Sequence, residues 1–144
     1  MSTDINPIRI AFVCVRNAGR SQMSLAFAER ERERRDLGDR VELLSGGTEP
    51  ADSVHEGVLD AMADAGFDLS DRTPREIDSA TLRTCDYVAT MGCSTLDLGG
   101  VDGVDVRDWA LDDPGGQDPS RVREIRDEVE RRVVALFDEF SAVE

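Results

Sequence analysis

Three observations predict an α/β domain built on a parallel sheet covered on both faces. Short apolar, β-branched runs alternate along the chain with stretches whose apolar residues recur at helical spacing. The chain has 144 residues, 40% of them hydrophobic, and a chain of roughly this size buries about 70% of its unfolded surface, enough for a core without disulfide or metal staples. No internal repeat, low-complexity segment or linker divides it, so a single domain over residues 1–144 is expected.

The elements follow in order. Ile8-Arg-Ile-Ala-Phe-Val-Cys14 reads as a strand, followed by a polar loop and a helix from Ser21 carrying Met23, Leu25, Ala26 and Phe27 ahead of the charged Glu29 to Arg35. Val41-Glu-Leu-Leu44 is a second strand ending at Ser45-Gly-Gly-Thr48. Val54 to Ala65 is a helix through Val58, Leu59, Met62 and Ala65, with Gly66 as its stop. A third strand centres on Tyr87-Val-Ala-Thr90 and a weaker fourth lies between Asp102 and Trp109. Asp118-Pro119 then supplies an N-cap and a first-turn proline for a last helix through Phe140, with Val122, Ile125, Val129, Val133 and Leu136 facing inward.

Charge excludes several functions. The 17 basic residues are all arginine against 31 acids, a net charge of -14, and the acids are spread along the whole length. A dense acidic surface of this kind suits a salty cytoplasm, where self-repulsion is screened within about 3 Å at 1 M salt. Nucleic-acid binding needs a basic face, whereas the one dense arginine stretch, Arg30 to Arg40, is interleaved with acids and reads as a solvated helix face. No apolar run is long enough to span a membrane, and Met1 to Pro7 lacks the features of a signal peptide, so a cytoplasmic protein with no membrane partner is expected.

The three cysteines, Cys14, Cys85 and Cys93, have no metal-finger or Cys-x-x-Cys spacing, and His55 is the only histidine. No metal site is expected. His55, Met23 and Trp109 read as ordinary surface or core residues, and Cys85, ahead of its strand, as structural.

Cys14-Val-Arg-Asn-Ala-Gly-Arg-Ser21 occupies the place where open α/β sheets bind ligands, between the carboxyl end of a strand and the start of a helix. Free backbone N–H groups and the helix dipole there favour an anion, and the Arg20 guanidinium can grip two oxygens of a tetrahedral oxyanion. A cysteine in such a nest has reason to ionise and act as a nucleophile. The loop Val15, Arg16, Asn17, Ala18, Gly19, Arg20 and Ser21 is the expected oxyanion cradle. In it, Gly19 allows a close turn, Asn17 braces the loop, and Ser21 caps the helix and offers its hydroxyl to the sulfur. Arg16 either adds a second positive charge or points to solvent. Neither Gly-x-Gly-x-x-Gly nor Gly-x-x-x-x-Gly-Lys occurs here, against a nucleotide site. A carboxyl on the Pro-Gly-Gly loop, Asp113 with Asp112 as the fallback, can supply the proton that an expelled alkoxide or hydroxide needs.

These residues resemble the low-molecular-weight phosphotyrosine phosphatases and the arsenate reductases that share their fold. The resemblance covers nearly the whole chain and rests on Val13-Cys-Val-Arg-Asn-Ala-Gly-Arg-Ser-Gln-Met23, Gly47-Thr-Glu-Pro50, Thr90-Met-Gly-Cys93 and Asp108-Trp-Ala-Leu-Asp-Asp-Pro114. It implies a three-layer sandwich with a central four-stranded parallel sheet, Cys14 as the attacking sulfur, Arg20 as the oxyanion holder and Asp113 as general acid.

Three features point to the reductase branch. A phosphotyrosine cleft needs aromatic walls, yet Gly115-Gly116 follows Pro114 and no aromatic lies between Ser45 and Glu56. Ser21-Gln-Met23 stands where the phosphatases have Ser-Pro, and Gly47-Thr-Glu-Pro50 is of the reductase type. Reduction of arsenate needs a second sulfur, and Cys93, following the third strand, is the candidate. Thioredoxin-coupled members carry two further cysteines in this region, but only Cys93 is present. The expected route is therefore a small external thiol, or reduction of a Cys14–Cys93 disulfide by a thioredoxin- or glutaredoxin-like protein, with no bound cofactor. The expected function is a thiol-dependent arsenate reductase, with phosphate as a competitor. The alternatives are a phosphatase acting on phosphotyrosine or small phosphate monoesters through a cysteinyl-phosphate, and a silent oxyanion sensor.

Overall fold

In the computed structural model, residues 7–14, 16–91, 104–109, 111, 114 and 116–141 are described. Strand β1 spans Ile8–Cys14, helix α1 Arg20–Arg34, strand β2 Val41–Gly47 after a 3-10 turn at Gly38–Arg40, and helix α2 Glu56–Asp64. Helix α3 is Ser79–Leu82, strand β3 Tyr87–Met91, strand β4 Asp105–Asp108 and helix α4 Pro119–Ser141. The strands form one sheet in the order β2-β1-β3-β4, with every pair parallel. The expected four-stranded parallel α/β architecture is what the chain adopts.

β1 lies between two partners and is buried on both faces, which is why it reads as an unbroken apolar run. Its residues alternate: Ile10, Phe12 and Cys14 join a core with Met23 and Phe27 of α1, Val58 and Met62 of α2, and Val129 and Val133 of α4. Ala11 and Val13 face a second, smaller core with Ile77, Leu82, Cys85 and Val88. The two faces are thus covered unequally, by three helices on one side and by α3 with its flanking segments on the other. α3, a single turn, and the 3-10 turn carry no periodic signal and were not expected from the sequence.

Helix ends follow local chemistry. α1 and α2 each close with a residue in the left-handed region, Asp36 (φ 54°) and Gly66 (φ 92°). In both, the next amide reaches back to close the last turn: Leu37 N–H donates to Arg32 O at 2.9 Å and Phe67 N–H to Met62 O at 2.8 Å. α4 starts as expected, with Asp118 Oδ1 accepting from Arg121 N–H at 2.9 Å and Pro119 in the first turn. No helix of the described residues is long and apolar enough to cross a membrane.

Candidate active site

The parallel sheet brings Cys14, the last residue of β1, beside Gly47 of β2 and Met91 of β3, so the loop after it opens at the carboxyl edge of the sheet. Cys14 is 2% exposed, yet it lines a cleft of about 820 Å³ with Arg16, Arg20, His55, Arg72 and Pro114. Its sulfur lies 2.9 Å from Ser21 Oγ and accepts from Asn17 N–H at 3.2 Å.

Asn17 organises the loop. It is fully buried and left-handed, with φ 52°, a conformation that asparagine tolerates better than most residues. Its Oδ1 accepts from Arg75 N–H at 3.0 Å, and because a backbone amide can only donate, that contact fixes the orientation of the side-chain amide. Asn17 Nδ2 consequently faces Ser21 Oγ, at 2.6 Å. With Ser21 Oγ accepting from Asn17, the hydroxyl proton is left for the Cys14 sulfur. Gln22 Nε2 completes the clasp, donating to Asn17 O at 3.1 Å and Oδ1 at 3.0 Å. The Gln22 Oε1 atom has no partner among the described residues, an imbalance that costs about 1–3 kcal/mol.

The loop is also held from the segment after β2. Ala51 N–H donates to Arg16 O at 2.9 Å, and His55 N–H to Ala18 O at 2.8 Å. His55 in turn caps α2, its Nδ1 accepting from Gly57 N–H at 3.1 Å. This double role leaves no mark in the sequence, because histidine is an uncommon cap; with His55 capping, Val54, the expected helix start, lies outside the helix.

Arg20 opens α1, and its Nη1 donates to Leu111 O at 2.9 Å, tying the arginine to the chain ahead of Pro114. Ser21 is not the helix cap that the sequence suggested: Gly19 holds that position, with no side-chain cap bond. The hydroxyl is engaged by Cys14 and Asn17 instead. Gly19 is needed where it is, since a Cβ there would stand 2.9 Å from Pro114 Cγ, so Pro114 can close against the loop only over a glycine. Trp109, expected to be an ordinary core residue, packs its ring 6.0 Å from Phe12, while its backbone N–H donates to Thr90 O at 2.8 Å. It anchors the chain just ahead of the Pro114 loop.

Of the described members of the expected set, Cys14, Arg16, Ala18, Gly19 and Arg20 line one cleft, while Asn17 and Ser21 are buried behind it and hold the loop from within. Val15, Cys93, Asp112 and Asp113 lie outside the described residues. Cys85 sits in the second core, far in sequence and across the sheet from the cleft. Burial pushes its thiol up from the ordinary value.

Known proteins resemble this chain along its length. A "Putative arsenate reductase" of Halobacterium salinarum is 66% identical over 141 residues, covering 98% of each chain. The solved thioredoxin-dependent arsenate reductase Cg_ArsC1' of Corynebacterium glutamicum is 30% identical with a TM-score of 0.79, covering 99% of this chain and 66% of its own. A structure of an arsenate reductase in the phosphate binding state is 27% identical with a TM-score of 0.75, covering 92% of this chain and 98% of its own. The family model for low molecular weight phosphotyrosine protein phosphatase matches residues 9–98. That match takes in β1, the Cys14 loop, β2 and β3, more than half the chain, and so the protein belongs to the low molecular weight phosphotyrosine protein phosphatase family.

Proposed function

We propose that this chain is a thiol-dependent arsenate reductase, acting as one domain in a reducing cytoplasm. The observation that carries the reading is the combination of floor and walls in the Cys14 cleft. Its floor is a sulfur within reach of an amide and a hydroxyl, and among the described residues no phenylalanine, tyrosine or tryptophan lines it. A phosphate ester of a phenol would find no ring to stack against, whereas a bare tetrahedral oxyanion needs none. The arsenate reductases among its relatives support the same choice.

In this reading the Cys14 thiolate attacks arsenic while the amides of the Val15 to Ser21 loop and the Arg20 guanidinium hold the oxyanion. Asp113 protonates the departing oxygen. Cys93 or an external thiol then takes the bond to sulfur and releases arsenite. Phosphate, of the same shape and charge, competes. The test is a parallel assay of wild type and Cys14→Ser for arsenite formation with several thiol donors and for aryl phosphate hydrolysis. Arsenite formation that vanishes in Cys14→Ser is expected, with phosphate as a competitive inhibitor. Robust hydrolysis without arsenate turnover under any donor would replace the proposal with a phosphatase; oxyanion binding with neither reaction would replace it with a sensor.

A further inference from the structure

The cleft is larger than its proposed oxyanion requires, and its outer part is charged against the trend of the molecule. Arsenate is one arsenic and four oxygens, yet the cleft measures about 820 Å³. In a chain of net charge -14, three arginines, Arg16, Arg20 and Arg72, line it among the described residues, against one described carboxylate, Glu56. Most arginines elsewhere hold carboxylates, as Arg107 holds Asp105 and Glu139, and Arg132 holds Glu128. Arg72 is half committed, its Nη2 donating to Glu29 at 2.6 Å. Arg20 is turned to Leu111 O and is the proposed oxyanion holder. Arg16 differs from both. It is exposed, pairs with no carboxylate among the described residues, and has its carbonyl pinned by Ala51 N–H, so its backbone is fixed while none of the described residues holds its guanidinium.

The sulfur sets the second condition. At 2% exposure, Cys14 lies on the floor of the cleft, out of reach of a thiol carried on another protein's surface but open to a slender molecule entering from the mouth. The geometry points to the outer cleft as the binding site for a small anionic thiol, whose carboxylate is held by Arg16 while its sulfur attacks Cys14. This rests on the reductase reading and names its electron donor. The Cys14 thiolate first displaces one oxygen of arsenate, which leaves as water after protonation, and an S–As bond forms. The donor thiolate attacks the Cys14 sulfur. The S–As bond breaks with its electron pair passing to arsenic, so arsenite leaves and a mixed disulfide on Cys14 remains. A second molecule of the donor resolves that disulfide, returning the Cys14 thiolate. Two thiols lose two electrons in forming a disulfide, and arsenic gains two.

Glutathione and its diethyl ester share one sulfur and differ in their carboxylates, so they make the matched probes. Arsenite formation by the full chain at saturating arsenate is measured with each, after correction for their reactivity toward a small disulfide. The acid is expected to surpass the ester in kcat/KM by about tenfold, the scale of one charge-assisted hydrogen bond. Arg16→Gln should bring the ratio of the two close to one, and Arg16→Lys should restore part of it. The preference should shrink as salt rises. Equal rates with acid and ester, an acid preference untouched by Arg16→Gln, or reduction supported only by a thioredoxin-like protein would each overturn the anionic-thiol site while leaving the reductase reading in place. No arsenite with any donor would overturn both.

Discussion

Asn17 shows how much of this loop one side chain carries. Its amide connects the loop to α1 through Ser21 and Gln22 and to the chain beyond α2 through Arg75, and its backbone occupies the left-handed region at φ 52°. The two contributions are separable. Asn17→Ala removes the hydrogen bonds and adds the left-handed penalty, whereas Asn17→Gly removes the hydrogen bonds alone. Both should lower stability by about 1–3 kcal/mol, since the part-buried Arg75 amide loses its acceptor and Gln22 Nε2 keeps only the Asn17 carbonyl, and alanine should be worse than glycine by about 1 kcal/mol. Urea unfolding of the three proteins checks this. Arsenate turnover should fall in both variants, because Ser21 would no longer be held with its proton toward the sulfur. Equal stability of the alanine and glycine variants would show that the φ of Asn17 stores no strain.

At the level of elements, the site is assembled where β2 meets the segment that follows Pro74. Gly47 N–H donates to Arg75 O at 2.9 Å and Ile77 N–H to Gly47 O at 3.2 Å, a short extension of the sheet that delivers the Arg75 amide to Asn17. That approach depends on Gly46, where a Cβ would stand 2.4 Å from Ile77 Cβ. Gly46→Ala should therefore destabilise by about 1–3 kcal/mol, and Ile77→Ala should not rescue it because the clashing Cβ remains. Ile77→Gly in the Gly46→Ala background should regain part of the loss, which thermal unfolding of the single and double variants measures. The sequence could not announce this contact. The four strands and the three long helices were legible because each repeats a period of two or 3.6, or runs apolar through a buried strand. The nucleophile loop was legible because its residue types and spacing serve one chemistry. The chain from Ser70 to Ile77 has no period, and its work is done by backbone amides, which every residue possesses. α3 is too short to show a repeat. The roles of His55 as cap and Arg72 as cleft wall come from tertiary neighbours and leave no mark in their own surroundings.

For the whole molecule the governing quantity is charge, and the structure separates two populations of carboxylates. One is unpaired surface charge, whose mutual repulsion gives the chain its dependence on salt. The other is held by partners in the fold. Asp105 and Glu139 are kept below the ordinary carboxylate range by Arg107, Glu128 by Arg131 and Arg132, and Asp118 by the backbone amide of Arg121 and the hydroxyl of Ser120. For this second group the folded state binds protons less readily than the unfolded chain, so its stabilisation is complete above the unfolded values near pH 4 and is lost as pH falls through the lower folded ones. Repulsion has the opposite sense, since protonating unpaired acids relieves it. The two should part company with salt. In 0.1 M KCl the Tm should hold or rise slightly from pH 7 to pH 5 as repulsion eases, then drop below about pH 4 as the paired carboxylates are neutralised. In 3 M KCl, with repulsion screened, the curve should lie higher and run flat from pH 7 to pH 5, then show a drop in the same acidic window, reduced only as far as salt weakens these exposed pairs. Circular dichroism melts on a grid of pH and salt check this. A Tm that falls between pH 7 and pH 6 would contradict it, because none of the depressed carboxylates titrates there. Loss of the acid drop in Arg107→Gln, which frees Asp105 and Glu139 together, would assign the greater part of it to that one cluster joining β4 to α4.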